Sequence, residues 1–147
     1  AEKGKQVQER LLELVDLDTD AFNAIMSAFG MPRKTEEEKV QRKAAITAAT
    51  INAIRIPLEV MKTAYAGFEL AGAMVDTGNP NSITDAAVGA LSLRTAVYGA
   101  YLNVLINREG VEQEEEVKAM IGEAEQLLQR SIEAEKEIIE KVSNQIK

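Results

Sequence analysis

The sequence predicts an all-α protein, a bundle of about four long helices in one domain. Ala, Glu, Leu and Lys, which favour helices, are abundant. Apolar residues recur at intervals of three and four, whereas the alternation typical of strands is nowhere sustained. The only prolines, Pro32, Pro57 and Pro80, leave long segments free of helix breakers. A chain of 147 residues has the size of one domain, which we assign to residues 1–147.

The first predicted helix covers residues 2–29. Its apolar positions repeat with helical spacing at Leu11, Leu12, Leu14, Val15, Phe22, Ile25, Met26 and Phe29. Gly30 ends this helix, because glycine readily adopts the conformation that closes a helix and Pro32 follows shortly.

The second predicted helix runs from Thr35 to about Thr77. Its first residues, TEEE, have the form of a capping box and place acidic side chains in the first turn. Pro57 lies inside it and removes one backbone donor. We expect a kink near residues 52–56 and not two helices, because no other breaker is nearby. Gly78 ends the helix.

Two further helices follow. Ser82-Ile83-Thr84-Asp85 repeats the capping-box pattern with Asp in place of Glu, and predicts a third helix that runs to about Asn107. The residues around Gly110 end the third helix. A last helix over residues 112–145 combines one apolar stripe with one charged face.

Composition excludes several classes of function. A net charge of −7 argues against nucleic acid, whose binding depends on Lys and Arg. The absence of Cys and His excludes disulfides, cysteine nucleophiles, imidazole bases and His-ligated zinc. DLDTD at residues 16–20 is similar to the start of a calcium loop, but Ala21 and Ser27 stand where Gly and Glu are required, so no metal site is predicted.

We expect a cytoplasmic protein with no membrane segment. No apolar run reaches the roughly 18 residues of a membrane span. The first ten residues, AEKGKQVQER, lack the apolar core of a signal peptide.

The middle of the chain is poor in charge, so we predict that it is buried. Residues 44–108 carry four acids and four bases, whereas residues 111–147 carry ten acids and five bases. Seven small or polar residues of the third helix fall on one line: Asp85, Gly89, Ser92, Ala96, Gly99, Asn103 and Asn107. The second helix has a comparable line at Arg42, Ala49, Ala53, Val60, Ala64, Gly67 and Ala71.

Small residues allow helices to pack closely, which accounts for the Gly and Ala positions of both lines. Asp85, Asn103 and Asn107 need another explanation. A carboxylate or amide in an apolar setting must be paired, hydrated or in contact with a ligand, because leaving it unpaired costs about 1–3 kcal/mol.

Together these residues resemble the formiminotransferase-cyclodeaminase family, namely its cyclodeaminase domain and the related methenyltetrahydrofolate cyclohydrolases. The resemblance covers most of residues 7–110. Its segments are DTDAFNAIMSAFGMP, EEEKVQRKAAI, IPLEV, GNPNSITDAAVGA and AYLNVLINREG, in this order. Family domains usually open with a Pro-Gly-Gly-Gly turn and a further Ala-rich helix, so we expect this chain to be a fragment or a short member.

The resemblance implies an all-helical homodimer and a tetrahydrofolate substrate with no separate cofactor. The implied reaction converts 5-formiminotetrahydrofolate to 5,10-methenyltetrahydrofolate and ammonia, a step in histidine degradation, beside a formiminotransferase domain or subunit. Asp85 is the expected catalytic acid, supported by Asp18. Substrate binding is expected from Asn79, Asn81, Asn103 and Asn107, with Arg42 or Lys39 on the glutamate tail.

Three alternatives stay open. Methenyltetrahydrofolate cyclohydrolase uses the same residues with water in place of ammonia. A non-catalytic helical dimer would use the two lines of small residues for assembly alone. Ser82 and Asp85 have a structural explanation as helix caps, which does not exclude catalysis.

Overall fold

Four long α-helices form the fold. The computed structural model describes residues 2–146, and within that range it contains no strand. Helix α1 spans Glu2–Phe29, α2 spans Glu36–Thr77, α3 spans Ile83–Ile106 and α4 spans Glu115–Gln145. A short 3₁₀ helix, Pro80–Ser82, precedes α3. The all-α prediction is confirmed.

The predicted ends of α1 and the start of α2 are confirmed by their hydrogen bonds. The backbone N–H of Gly30 donates to the carbonyls of Met26 and Ser27, both at 3.1 Å. The Thr35 hydroxyl accepts from the N–H of Glu38, and the Glu38 carboxylate accepts from the N–H of Thr35, each at 3.1 Å. This reciprocal capping box fixes the first turn of α2.

The predicted cap of α3 is wrong. Ser82 makes no side-chain capping bond, and the turn is closed further upstream, where Asn79 Oδ1 accepts from the N–H of Asn81 at 3.0 Å. Pro80 favours a tight turn at its own position, so the Asn79 side chain caps the 3₁₀ helix that leads into α3. Helix α4 starts at Glu115 and not at residue 112, because turns around Gly110, with a φ of 84°, continue to residue 113.

Helix α2 is the centre of the bundle and packs against the other three helices. It is antiparallel to α1, because Lys3 pairs with Glu69 at 3.1 Å. It is antiparallel to α3, because Gly67 lies against Leu93 while the earlier Ala53 contacts the later Asn107. It is parallel to α4, because Lys62 pairs with Glu123 at 3.2 Å and the later Asp76 pairs with the later Lys141 at 3.3 Å.

The line of small residues on α2 allows close packing against α3, as predicted. A Cβ placed on Gly67 would lie 2.7 Å from Leu93 Cδ2, closer than real carbon contacts. The surrounding core contains fully buried side chains from α2, α3 and α4, among them Ile54, Met61, Val97, Val104 and Val117. Pro57 lies inside the single continuous helix α2, so the prediction of one helix is confirmed.

The prediction that the charge-poor middle of the chain is buried is wrong for one face of α3 in the single chain. One face of α3 exposes large apolar side chains, including Val88 at 61% and Ile106 at 71%. Apolar residues of α1 are exposed too, with Phe22 at 61%. The sequence pattern identifies the apolar, uncharged faces of these helices, but these faces have no partner within the chain.

By length and composition alone, helix α2 could cross a membrane. Core helices of soluble proteins can have the same length and composition, and α2 occupies the centre of this bundle. We therefore interpret its apolar character as that of a core helix.

Candidate functional site

A cleft of 440 Å³ opens between α1, α2 and α3. Its floor is α2, where Pro57 and Val60 lie. The two walls are formed by Leu11, Leu14, Val15, Asp18 and Thr19 of α1 and by Ala96, Ala100 and Asn103 of α3. A mostly apolar cavity with a few polar groups is the usual form of a small-molecule site.

Asp18 and Asn103 are the polar groups available to a ligand in this cleft. Both are exposed, and within residues 2–146 neither side chain has a hydrogen-bond or ion-pair partner. The Thr19 hydroxyl, in contrast, donates to the Val15 carbonyl at 3.2 Å. Two of the predicted site residues, 85 positions apart in the chain, are therefore brought together by the fold.

Asn107 has a structural bond that explains its position. Its side-chain Nδ2 donates to the backbone carbonyl of Ala53 at 2.9 Å. In a regular helix that carbonyl would accept from residue 57, but Pro57 has no N–H. The Asn107 amide therefore replaces the hydrogen bond that Pro57 removes, beside the floor of the cleft.

A second cavity, of 370 Å³, is strongly basic. It is lined by Arg33, Lys39, Arg42, Lys43, Ile46, Thr47 and Gly110. The Arg42 guanidinium donates to the Phe29 carbonyl at 3.0 Å, and Lys39 pairs with Glu36 at 2.6 Å. Within residues 2–146, Arg33 and Lys43 have no ion-pair partner, so the cavity keeps free positive charge for an anion.

The cleft and the basic cavity lie along the same helix. Pro57 lines the cleft and Ile46 lines the basic cavity. At 1.5 Å per residue, these two residues are about 16 Å apart along the axis of α2. Arg33 and Lys43 were not among the predicted site residues. The signal that could have found them is the run of bases between residues 33 and 43.

Asp85, Asn79 and Asn81 lie far from both cavities in the single chain. They are exposed at the turn between α2 and α3. Asp85 and Asn103 are 18 residues apart on α3, a separation of about 27 Å along its axis. The predicted site residues thus lie in the cleft, in the basic cavity and at this turn, except for Asn107, which is bound to the Ala53 carbonyl.

Another cavity, of 500 Å³, lies between α2 and α4 and contains none of the predicted site residues. Its charged groups are paired with each other, since Lys141 lies 3.3 Å from both Asp76 and Glu137. The hydrogen bonds that Lys141 donates to Glu137 and Asp76 raise its pKa, which keeps the lysine charged. This cavity is bordered by a satisfied ion-pair network, whereas the cleft offers unpaired groups.

Known proteins are similar to this chain in sequence and in fold. A profile described as formiminotransferase-cyclodeaminase matches residues 1–126. A methenyltetrahydrofolate cyclohydrolase of Methylorubrum extorquens is 32% identical over 145 residues, which are 99% of this chain and 70% of that protein. The formimidoyltransferase-cyclodeaminase of Rattus norvegicus is 36% identical over 98 residues, covering 67% of this chain and 18% of that protein.

A solved structure supports the same fold. The formiminotetrahydrofolate cyclodeaminase of Thermotoga maritima superposes with a TM-score of 0.81 at 20% identity, over 97% of this chain and 67% of that one. Two of these relatives, from Methylorubrum extorquens and Thermotoga maritima, are named for reactions of tetrahydrofolate derivatives. This chain belongs to the formiminotransferase-cyclodeaminase family.

Proposed function

We propose that this protein acts on the one-carbon unit of tetrahydrofolate, and that its reaction is that of a formimidoyltetrahydrofolate cyclodeaminase. The observation that carries the proposal is the pair of cavities along α2. One combines apolar walls with an unpaired carboxylate and amide, and the other is basic. Their separation of about 16 Å is on the scale of a folate molecule.

A folate fits this arrangement chemically. The flat pterin ring lies against the apolar walls, where Asn103 offers both a donor and an acceptor to the ring edge. The carboxylates of the glutamate tail reach the basic cavity, where Arg33 and Lys43 are free to pair with them. Arg42 and Lys39 add positive potential there while keeping their own intramolecular partners.

Asp18 is the group best placed to move protons. In the proposed reaction N10 attacks the formimino carbon of the N5 substituent, forming the N10–C bond. Asp18 accepts the N10 proton and returns it to the amino group, which leaves as ammonia when its C–N bond breaks. The carboxylate then faces the methenyl cation, whose charge is shared between N5 and N10, and stabilises it.

Methenyltetrahydrofolate cyclohydrolase is the second candidate. The relative that matches 99% of this chain bears this name, whereas the rat cyclodeaminase matches 67% of it. In this reaction Asp18 would remove a proton from the attacking water. Both reactions pass through a tetrahedral carbon between N5 and N10, so the same cleft serves either one.

One assay with two substrates tests the proposal. The protein is incubated with 5-formiminotetrahydrofolate while methenyl absorbance and ammonia are measured together, and separately with 5,10-methenyltetrahydrofolate while loss of that absorbance is measured. Ammonia released in step with methenyl formation supports the cyclodeaminase. Accelerated hydrolysis of 5,10-methenyltetrahydrofolate, with no ammonia released from 5-formiminotetrahydrofolate, supports the cyclohydrolase instead. No acceleration of either reaction would overturn the proposed function.

The remaining features of the proposal concern assembly and context. The exposed apolar faces of α1 and α3 favour a homodimer. The formimidoyltransferase-cyclodeaminases of Rattus norvegicus and Mus musculus are much longer than this chain, which supports a transferase domain or subunit as a partner. A cytoplasmic location and a reaction without a separate cofactor agree with this chemistry.

A further inference from the structure

The polar side chains of the cleft lie at one of its two ends. On the α1 wall three apolar residues come first along the chain, and Asp18 and Thr19 follow them. On the α3 wall the order is the same, because Ala96 and Ala100 precede Asn103. Both helices are antiparallel to α2 and therefore parallel to each other. The three polar residues are thus brought together at one end of the cleft, and the other end is apolar.

The Thr19 hydroxyl uses its hydrogen within the helix but keeps its lone pairs for a ligand. Its Oγ1 donates to the Val15 carbonyl at 3.2 Å, and both residues line the cleft, so this bond runs along the cleft wall. Among residues 2–146, no donor is bonded to this oxygen. A hydroxyl has one donor hydrogen and two acceptor lone pairs. While the bond to Val15 is kept, Thr19 can therefore only accept hydrogen bonds from a ligand.

We propose that Thr19 is a specificity-determining residue, which accepts a hydrogen bond from the formimino nitrogen and so favours this substrate over its formyl analogue. This role rests on the proposed folate function and adds a third polar contact to those of Asp18 and Asn103. The formimino nitrogen carries hydrogens in the substrate and in the ammonia that leaves. The oxygen that replaces this nitrogen in a formyl group has lone pairs only.

The two ligands differ in what they require of Thr19. An N–H group gains an acceptor while the bond between Thr19 and the Val15 carbonyl stays in place. A formyl oxygen requires a donor, so the hydroxyl would have to leave the Val15 carbonyl and exchange one hydrogen bond for another. The formimino ligand therefore gains one hydrogen bond that the formyl ligand does not. One hydrogen bond of ordinary net strength corresponds to about a fivefold difference in affinity.

The same contact orients the leaving nitrogen for the proton transfer by Asp18. After N10 has attacked, this nitrogen carries hydrogens and one lone pair, and the lone pair must receive the proton. Asp18 and Thr19 are consecutive on α1, so their side chains point about 100° apart and approach the nitrogen from different directions. An N–H group that is bonded to Thr19 turns the lone pair away from Thr19 and towards Asp18. Thr19 therefore contributes to the reaction rate as well as to binding.

Thr19→Val tests this role, because valine has nearly the shape of threonine and no hydroxyl. The kcat/KM for 5-formiminotetrahydrofolate should fall about fivefold or more, since one hydrogen bond is lost. The inhibition constant of 5-formyltetrahydrofolate should stay within about twofold of its wild-type value, since this ligand makes no net use of the hydroxyl. The selectivity, which is the ratio of the two affinities, should fall about fivefold. Thr19→Ser keeps the hydroxyl and should keep the wild-type selectivity.

Thr77→Val is the matched control. The Thr77 hydroxyl also donates to a carbonyl four residues earlier, that of Ala73 at 2.9 Å, and Thr77 is exposed like Thr19. Thr77 does not line the cleft. This variant loses the same kind of helical hydrogen bond and should keep the wild-type selectivity. Circular dichroism and urea unfolding of the two valine variants check that both retain the fold.

The outcomes distinguish the role of Thr19 from the proposed function. A wild-type protein that accelerates neither folate reaction refutes the proposed function. If the formimino compound still binds, its dissociation constant replaces kcat/KM in the selectivity and decides the role of Thr19; if it does not bind, that role is refuted as well. An active wild type whose selectivity is unchanged by Thr19→Val overturns the role, because a purely structural residue would weaken both ligands alike. An equal loss of selectivity in Thr77→Val would also overturn it.

Discussion

At the scale of single residues, Asn107 and Pro57 form one unit. Proline removes a hydrogen bond from the middle of α2, and the buried carbonyl of Ala53 would otherwise have no partner. Asn107 donates to that carbonyl from the end of α3. This bond ties α3 to the floor of the cleft and fixes the position of Asn103, one turn away.

A double-mutant cycle tests this pairing. Asn107→Ala should lower the free energy of unfolding by about 1–3 kcal/mol, because a buried carbonyl loses its partner. In a Pro57→Ala background the new N–H of residue 57 can donate to the Ala53 carbonyl. Asn107→Ala should therefore lower the free energy of unfolding by clearly less in that background. Urea unfolding of the four proteins measures the coupling. Equal costs in both backgrounds would show that the two residues are independent.

The sequence could predict which polar residues matter, but not all of their partners. Asp18 and Asn103 were both proposed for the site, and the fold brings them to one cleft. Asn107 was assigned to the substrate because it shares a face with Asn103. Its bond to Ala53 joins positions 54 residues apart, and no local pattern contains that information.

At the scale of secondary structure, the helix caps differ in strength. Thr35→Ala should reduce the free energy of unfolding by about 1 kcal/mol, since its hydroxyl accepts a backbone hydrogen bond at the start of α2. Ser82→Ala is the matched control, because Ser82 makes no capping bond. Chemical denaturation should show a shifted midpoint for the first variant only. A comparable loss at Ser82 would mean that it caps α3 after all.

The ion pairs between α2 and α4 give a pH dependence. Burial lowers the pKa of Lys62, but its hydrogen bonds to Glu123 and Glu59 outweigh this and raise the pKa above its ordinary value of 10.5. The stabilisation is therefore fully present below pH 10.5 and is lost as pH rises through the higher folded-state pKa. The side chains are well exposed, so the effect is of the order of 0.2–1 kcal/mol.

This dependence is measurable by comparing wild type with Lys62→Met. The difference in their free energies of unfolding should be constant between pH 7 and 9, where Lys62 stays charged, and should shrink above pH 10.5. A difference that changed at neutral pH would point to another titrating group.

Helix positions were largely predictable because their signals are local. Gly30, the Thr35 box and Gly78 mark ends that depend on neighbouring residues alone, and these ends are observed. The sequence predicts the start of α4 three residues early, because the acidic run EQEEE is as compatible with turns as with a helix. The exposure of one α3 face was not predictable, since apolar composition does not say whether the partner belongs to the same chain.

At the scale of the whole molecule, the cleft and the basic cavity act as one elongated site. The basic end lies far from the reacting atoms, so it contributes the same binding energy in the ground state and the transition state. Changing Arg33 and Lys43 together to Gln should raise KM for the folate about tenfold with little change in kcat.

Steady-state kinetics with Lys34→Gln as control checks this prediction. Lys34 is a neighbouring exposed base that does not line the cavity. A KM equal to that of wild type in the double variant would mean that the glutamate tail binds elsewhere. A loss confined to kcat would mean that these bases act on the chemical step.

The cleft between α1, α2 and α3 is tested most directly by comparing kcat/KM for Asp18→Asn and Asp16→Asn. Both are exposed acids of α1, but only Asp18 lines the cleft. If Asp18 transfers the proton, its variant should lose about 10²-fold or more, while Asp16→Asn should stay within about twofold of wild type. Equal activities in the two variants would contradict the assignment of the reaction to this cleft.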